Sequence, residues 1–414
     1  MRAAVQDLRL SHDLRLVDTP RAATILLIAG DVAETHREAL ARTHDVLPHP
    51  RATVAWGASD PLAGLGSAET SIDLQADPVA TLRLLFRDLV TGRRPSEPPL
   101  LPDLEPVSWR GVGPYGQGGS GMTGGTPYGR PMAGLGPDRD GLRLDVLPMT
   151  LGPFFPRLPA GLVLDLKTAG DVVIEAAVVE AASGRPPVAA SARTSSPFVS
   201  ALVAPVPIAE LELARARDHL RWLADALIAH GLPALGLRAL RLAHDVGPGD
   251  GERIRAFVGR LRRTGLFRWS LPRAGRIDPT TLAGLGLGPI ARAAGLAEDV
   301  RIEDPGYRAL GFAPFVVDRN DPIGRWQVRL EEAARALDLA AQAGGWMSTV
   351  LGRVESPRGR LQPGDSPTDR VLALVPEILR GLEWGDAVAT LISLDLDLDE
   401  RGGATVARTV QATA

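Results

Sequence analysis

Leu282-Ala283-Gly284-Leu285-Gly286-Leu287-Gly288-Pro289 opens the stretch, running to Gly345, that decides how the rest of the chain is read. Glycine at every second position lets the backbone take positive φ and approach a neighbour closely before Pro289. An extended arm is expected from Asp299 to Val317, carrying Asp299, Arg301, Tyr307, Phe312 and Phe315. Asp321-Pro322 then predicts a helix start, with aspartate as N-cap and proline at the first helical position. Leu330, Ala333, Ala334, Leu337 and Ala341 recur at helical spacing, and Gly344-Gly345 ends the run.

Composition sets the outer limits. The 414 residues are 45% apolar and 23% charged, ordinary values for a soluble globular protein with room for two cores. A net charge of -3 gives no reason to expect a nucleic-acid partner. Basic charge is almost all arginine, with Lys167 the only lysine. No run approaches the roughly 20 apolar residues that span a bilayer, and the charged N-terminus is no signal peptide. The expectation is a cytoplasmic chain that meets the membrane only through partners. There is no cysteine, which removes disulfides, thiolate nucleophiles and cysteine-held iron–sulfur or nickel–iron centres.

Outward from the decisive stretch, the N-terminal part reads strand, helix, strand, helix. Ala23 to Ala29 is a short apolar run of the buried parallel type, and Asp31 is placed to cap a helix through Arg42. Thr53 to Trp56 predicts a second strand, and Pro78 to Val90 a helix with Leu82, Leu85, Phe86 and Leu89 on one face. Residues 106–141 form a Gly/Pro-rich linker, in which no Gly-Lys-Ser/Thr follows to make a phosphate loop. Leu162 to Leu166 and Val172 to Val179 predict a hairpin around Ala169-Gly170-Asp171. Glu210 to His230 and Asp250 to Arg263 predict helices that join the one after Asp321 in a bundle. The fold expected is an α/β N-terminal domain with a small flavodoxin-like parallel sheet (1–105), the linker (106–141), and an α+β domain dominated by a helical bundle with a small sheet (142–414).

The run Gly288-Pro289-Ile290-Ala291-Arg292-Ala293-Ala294-Gly295, then Asp299-Val300-Arg301, Pro305-Gly306-Tyr307 and the capped helix, resembles one family. It is similar to the large, quinone-site subunit of respiratory complex I and to the large subunit of membrane-bound nickel–iron hydrogenases. Thr19 to Ala23 and Pro50 to Ala58 resemble the cluster-bearing small subunit of the same assemblies. Where that family has cysteines, the matching positions here are Ser59 and Asp77, and its adjacent cysteine pair has no counterpart. Leu151-Gly152-Pro153-Phe154-Phe155-Pro156 resembles the loop carrying the quinone-facing histidines, with Phe155 in place of the first and Pro159 or Ala160 of the second. Neither Phe155 nor Pro159 can donate or relay a proton. Glu355-Ser356-Pro357-Arg358-Gly359 resembles the family's acidic, proline and basic turn. Leu379 to Asp395 resembles its closing helix and strand, and only Ser183 to Pro187 remains of its histidine–arginine–glycine run.

The resemblance implies a fusion of small- and large-subunit-like parts that keeps the shape-giving residues and loses those that hold cofactors. The function expected is a cofactor-free structural or coupling subunit of a complex I-like or hydrogenase-like membrane assembly. The alternative is an enzyme binding a quinone-like small molecule between the domains through Arg292, Asp299, Arg301 or Tyr307. Three further groups each carry two readings. His219 beside Asp218 reads as a ligand or base, or as a solvated histidine on a polar face. Arg253, Arg255, Arg260, Arg262, Arg263 and Arg268 read as a docking face for an acidic partner or anionic headgroups, or as a solvated helix face. Asp395, Asp397 and Asp399 read as alternating carboxylates on one strand face, able to hold a hard cation or to keep an edge solvated.

Overall fold

The computed structural model describes residues 2–58, 60–66, 68, 70–103, 134–137, 141–181 and 196–400. Ser59, most of the Gly/Pro-rich linker and residues 183–187 lie outside the described residues.

The N-terminal part begins with helix α1 (Arg2–Asp7), then β1 (Ile25–Ala29), α2 (Arg37–Asp45), β2 (Ala52–Trp56), β3 (Thr70–Ile72) and α3 (Pro78–Val90). The strands pair in parallel in the order β1-β2-β3. All five residues of β2 are buried, as expected of a central strand covered on both faces. The helix after β1 starts at Arg37, preceded by a 3-10 turn Glu34–His36, rather than being capped at Asp31. Helix α3 has the predicted bounds, and Asp77 caps it by accepting the Val79 amide at 3.0 Å. Leu82, Leu85 and Leu89 are buried, whereas Phe86 lies at the open edge of that stripe and is 49% exposed.

A four-stranded antiparallel sheet follows, β4 (Leu135–Pro137), β5 (Arg143–Leu151), β6 (Leu162–Ala169) and β7 (Val172–Ala181), in sequence order. Gly170, at φ 59°, turns the β6–β7 hairpin where the glycine–aspartate pair predicted it. Leu162, Leu164, Leu166 and Val173 point into a core shared with the C-terminal helices.

Behind the sheet lie α4 (Pro197–Ala201), β8 (Val206–Pro207), α5 (Ile208–Ala229), α6 (Pro233–Asp245), α7 (Gly251–Arg263), α8 (Pro279–Leu282), α9 (Pro289–Ala293) and α10 (Pro305–Ala309). The chain continues through α11 (Pro322–Gln342), β9 (Met347–Ser348), β10 (Val354–Ser356), β11 (Gly359–Leu361), α12 (Pro367–Leu372), α13 (Val375–Leu379) and α14 (Trp384–Leu394). The long helices α5 and α11 pack along each other. Helices α6 and α7 close over a shared core of Leu220, Leu223, Leu240, Phe257, Leu261 and Trp326. Aspartates immediately before proline cap α3, α8, α10 and α11, each accepting amides of the first turn.

Two expectations are corrected here. The arm from Asp299 to Val317 is not extended, since Val300–Ile302 forms a 3-10 turn and α10 follows, each capped by its own aspartate. The chain after α14 is not a strand. Asp395 takes a left-handed conformation at φ 53° and ends the helix, so Asp395, Asp397 and Asp399 share no strand face. The glycine turn behaves as its composition predicts. Gly288, at φ 51°, lies against the β10–β11 hairpin, where a Cβ would stand 2.7 Å from the Gly359 Cα.

Candidate functional site

The residues singled out in the decisive stretch meet at the centre of the bundle. Arg292 on α9 is fully buried; its Nη1 donates to Asp299 Oδ2 at 2.9 Å and to Glu355 Oε1 at 2.8 Å. Its Nε stands 2.6 Å from Glu332 Oε1, a close ion pair without the alignment of a directed hydrogen bond. Arg301 grips Asp299 with two parallel bonds, Nε to Oδ1 at 2.9 Å and Nη2 to Oδ2 at 2.6 Å. Its Nη1 reaches Glu212 on α5 at 3.2 Å, and its guanidinium lies 4.2 Å from the Phe312 ring centroid. Tyr307 donates its hydroxyl to Glu212 Oε1 at 2.6 Å. Arg215, one turn along α5, donates to Glu212 at 3.1 Å and to the Ser356 carbonyl at 3.0 Å.

Glu212, Arg215, His219, Glu332 and Glu355 were not singled out as partners of this group. His219 is buried rather than solvated, with its Nε2 3.2 Å from Glu332 Oε2. Three arginines, Arg215, Arg292 and Arg301, thus face four carboxylates, Glu212, Asp299, Glu332 and Glu355.

Protonation follows from this balance. Burial opposes charge on Asp299, but Arg301 and Arg292 together hold its carboxyl below the usual range. Burial likewise opposes Glu332, yet Arg292, the His219 hydrogen bond and Arg301 hold it well below. Glu355 goes the other way, because burial and then the neighbouring Asp299 push its carboxyl up to about 7. Below about pH 7, where Glu355 is protonated, three carboxylates match three arginines. Burial takes the His219 imidazole down to about 4, so it is neutral at pH 7.

A second cluster adjoins the first through α11. Arg329 Nη1 donates to Asp395 Oδ2 at 3.2 Å, and Arg358 donates to the Asp395 carbonyl at 2.9 Å and pairs with Asp397 at 3.2 Å. Arg2 of α1 reaches Asp395 at 3.8 Å. Arg325 donates to Ser393 Oγ at 2.8 Å and to the Gly275 carbonyl. Burial lowers Arg325 and Arg329 to about 10, and both stay charged at neutral pH. Asp395, 5% exposed and held by arginines, is neither a solvated edge nor a vacant cation ligand.

The positions where the resemblance implies cofactor ligands have other tasks. Asp77 is the cap of α3. Phe155 stacks edge-on against Trp384 at 6.4 Å, and the Pro159 carbonyl accepts the Leu162 amide at 3.2 Å. Pro159 also lines a recess with Arg2, Arg157, Trp222, Asp225 and Asp395, which holds about 10 Å3. The recess beside Arg301, Tyr307 and Glu355 holds about 10 Å3 as well. That is room for about one water, whereas a ligand of quinone size takes a pocket of roughly 300 Å3 or more. The residues present do not fit an iron–sulfur or nickel–iron centre, because thiolates are absent and Asp77 is committed to the backbone. No group of three or more metal-ligating side chains occurs among the described residues. The basic face of α7 is exposed at Arg253, Arg260, Arg262 and Arg263, with Arg255 drawn to Asp338 and Glu252.

Residues 266–374 match the family described as respiratory-chain NADH dehydrogenase, 49 Kd subunit. That span contains Arg292, Asp299, Arg301, Tyr307, Glu332 and Glu355. No curated protein matches the chain. Among solved structures, one similar chain belongs to the membrane-bound sulfane sulfur reductase, an archaeal respiratory membrane complex. It is 19% identical, with a TM-score of 0.45, and the match covers 62% of this chain and 98% of that one. No helix among the described residues is long and apolar enough to cross a membrane.

Proposed function

We propose that this chain is a structural or coupling subunit of a membrane-associated assembly of the complex I or energy-converting-hydrogenase type. In this reading it carries no redox centre of its own and docks, on the cytoplasmic side, onto proton-channel membrane subunits. The observation that carries the proposal lies in residues 266–374. The stretch similar to the quinone-site subunit is present, yet its buried Arg292, Asp299, Arg301, Glu332 and Glu355 are spent on one another. A closed arginine–carboxylate network fixes the relative positions of α5, α9, α11 and the β10–β11 hairpin. A rigid docking body needs such fixed positions, whereas a quinone-site subunit needs space for its ligand.

The fused small-subunit-like part belongs to the same reading, with the parallel sheet of β1, β2 and β3 packed beside the bundle as a cluster-free relic of its partner. The alternative, an enzyme binding a quinone-like molecule between the two parts, requires Arg292, Asp299, Arg301 or Tyr307 to leave partners at 2.6–2.9 Å. Breaking such a buried pair costs about 3–5 kcal/mol, more than a weak ligand returns.

The test is extraction of the tagged chain from its native membranes in a gentle detergent, followed by mass spectrometry. Co-purification of antiporter-like membrane subunits supports the proposal. A chain recovered alone, with no membrane protein attached, overturns it.

A further inference from the structure

Charge is distributed unevenly along the chain. Residues 238–276 hold ten arginines against the three carboxylates Asp245, Asp250 and Glu252, a balance of +7 in a chain whose net charge is -3. This segment is α6, α7 and the turn that follows. The two helices bury one side each in the same core, through Ala239, Leu240 and Ala243 on α6 and Ile254, Phe257 and Leu261 on α7. They touch where the Arg238 guanidinium lies 6.0 Å from the Phe257 ring centroid. Each helix turns its other side outward, and the two meet at this contact.

Arg238, Arg241, Arg253, Arg260, Arg262 and Arg263 on these helices are exposed, as are Arg268, Arg273 and Arg276 in the residues that follow them. Arg253 pairs with Asp250 at 3.0 Å, and Arg255 is taken by Glu252 and Asp338. Arg241, Arg260, Arg262, Arg263, Arg273 and Arg276 have no carboxylate partner within 4 Å among the described residues. A face kept only for solubility carries both signs interspersed. Six like charges repel one another and become favourable only when an anionic surface is brought up to them.

The kind of surface is set by what the face lacks. Protein–protein interfaces have a desolvated apolar or aromatic centre within a polar rim. None of the large apolar side chains exposed among the described residues falls within residues 238–276; most lie on α3, along the antiparallel sheet and around Trp346, with Val46, Val203, Ile302 and Val316 elsewhere. A face whose described exposed side chains are charged rather than large and apolar suits a fluid sheet of phosphate headgroups, which needs no shape match and which guanidinium forks bind well.

We infer that the α6–α7 face is an electrostatic contact for anionic lipid headgroups, binding the bilayer surface directly rather than through another subunit. The remaining charge of about -10 on the rest of the chain turns this face toward the membrane. The contact is independent of the assembly reading, since it needs lipid alone.

The experiment is co-sedimentation of the purified full chain with vesicles of phosphatidylcholine alone and with phosphatidylglycerol added in a two-to-one ratio. The chain is expected to bind only the anionic vesicles and to be released as salt rises from about 0.05 M to about 0.5 M. Replacing Arg241, Arg260, Arg262 and Arg263 by glutamine is expected to weaken that binding at least about a hundredfold. Replacing four exposed arginines elsewhere, Arg15, Arg21, Arg308 and Arg380, removes the same charge and is expected to change it less than about tenfold. Equal losses in the two variants, no preference for anionic vesicles, or equally tight binding to duplex DNA or polyglutamate would overturn the inference. Binding by the unsubstituted chain and its salt dependence decide the matter even if the quadruple variant folds poorly. Because these vesicles contain no protein, failure here leaves the co-purification result untouched, and the reverse also holds.

Discussion

Replacing Arg292 by methionine removes the cation that three buried carboxylates share. Met keeps the apolar stem of the side chain, though it ends short of the guanidinium, so most of the packing volume is retained. What changes is charge, because Asp299 loses a bond of 2.9 Å, Glu355 one of 2.8 Å and Glu332 an ion pair of 2.6 Å. Asp299 keeps Arg301, while Glu332 keeps only the neutral His219 at 3.2 Å and Arg301 at 3.9 Å. Stranding one partner of a buried pair costs about 3–5 kcal/mol. For a domain of this size that lowers Tm by roughly 10 °C. The sign with pH follows from the directions of the shifts. In the parent, Asp299 and Glu332 are held below their unfolded values, so the stability they contribute is present above those values and lost on acidification through the lower folded ones. In the variant, burial is no longer opposed by Arg292, the folded values rise, and the shortfall grows with pH. Urea unfolding followed by tryptophan fluorescence at pH 5 and pH 8 is therefore expected to show a larger deficit at pH 8. A deficit below about 1 kcal/mol, or one independent of pH, would refute the claim that this network is a mutually compensated set of charges.

Other substitutions probe single links. Glu355 has a folded value raised to about 7, so its contribution is fully present below the unfolded value and lost as pH rises through about 7. Glu355→Gln is expected to gain on the parent between pH 5 and pH 8, on the order of 2 kcal/mol by urea unfolding; parallel pH profiles would count against it. Tyr307→Phe deletes the 2.6 Å bond to Glu212 and is expected to cost about 1.5–3 kcal/mol, read by the same unfolding curves. Asp77→Ala removes the α3 cap and is expected to cost about 1 kcal/mol with no change in bound iron; a fall in iron would make Asp77 a ligand instead. Gly288→Ala drives a methyl to 2.7 Å from the Gly359 backbone and should leave little soluble protein, whereas Gly295→Ala, facing open space, should express and lose about 1 kcal/mol.

Local signals in the sequence located strands β1, β2, β6 and β7 and helices α3, α5, α7 and α11. Asp321-Pro322 placed the start of α11 correctly, and the apolar spacing after it identified the face that packs on α5. The same reading missed α6, whose leucines and arginines sit beside Pro233 and Gly236. It also set too much store on Asp395, Asp397 and Asp399 as a strand, because alternation over a few residues does not exclude a helix end. Arg292, Asp299, Arg301 and Tyr307 were legible as a group, since they lie within one short stretch. Their partners Glu212, Glu332 and Glu355 were not, because they lie on other elements and no local pattern links them to that group. A signal was nevertheless present. Glu212, Arg215 and His219 on α5, and Arg325, Arg329 and Glu332 on α11, recur at three- and four-residue steps, so each helix carries a charged stripe on a face flanked by buried residues. Two such stripes on the two longest helices of a bundle point to a buried polar seam between them.

The proposed role, supporting chemistry performed by neighbouring subunits, is open to irradiation of native membranes with a photoreactive quinone and mapping of the labelled peptides. Label is expected on other proteins of the membrane, and none on this chain that an excess of unmodified quinone removes. Displaceable label on Phe155, Pro159, Tyr307 or Asp395 would contradict it and restore a quinone site to this chain.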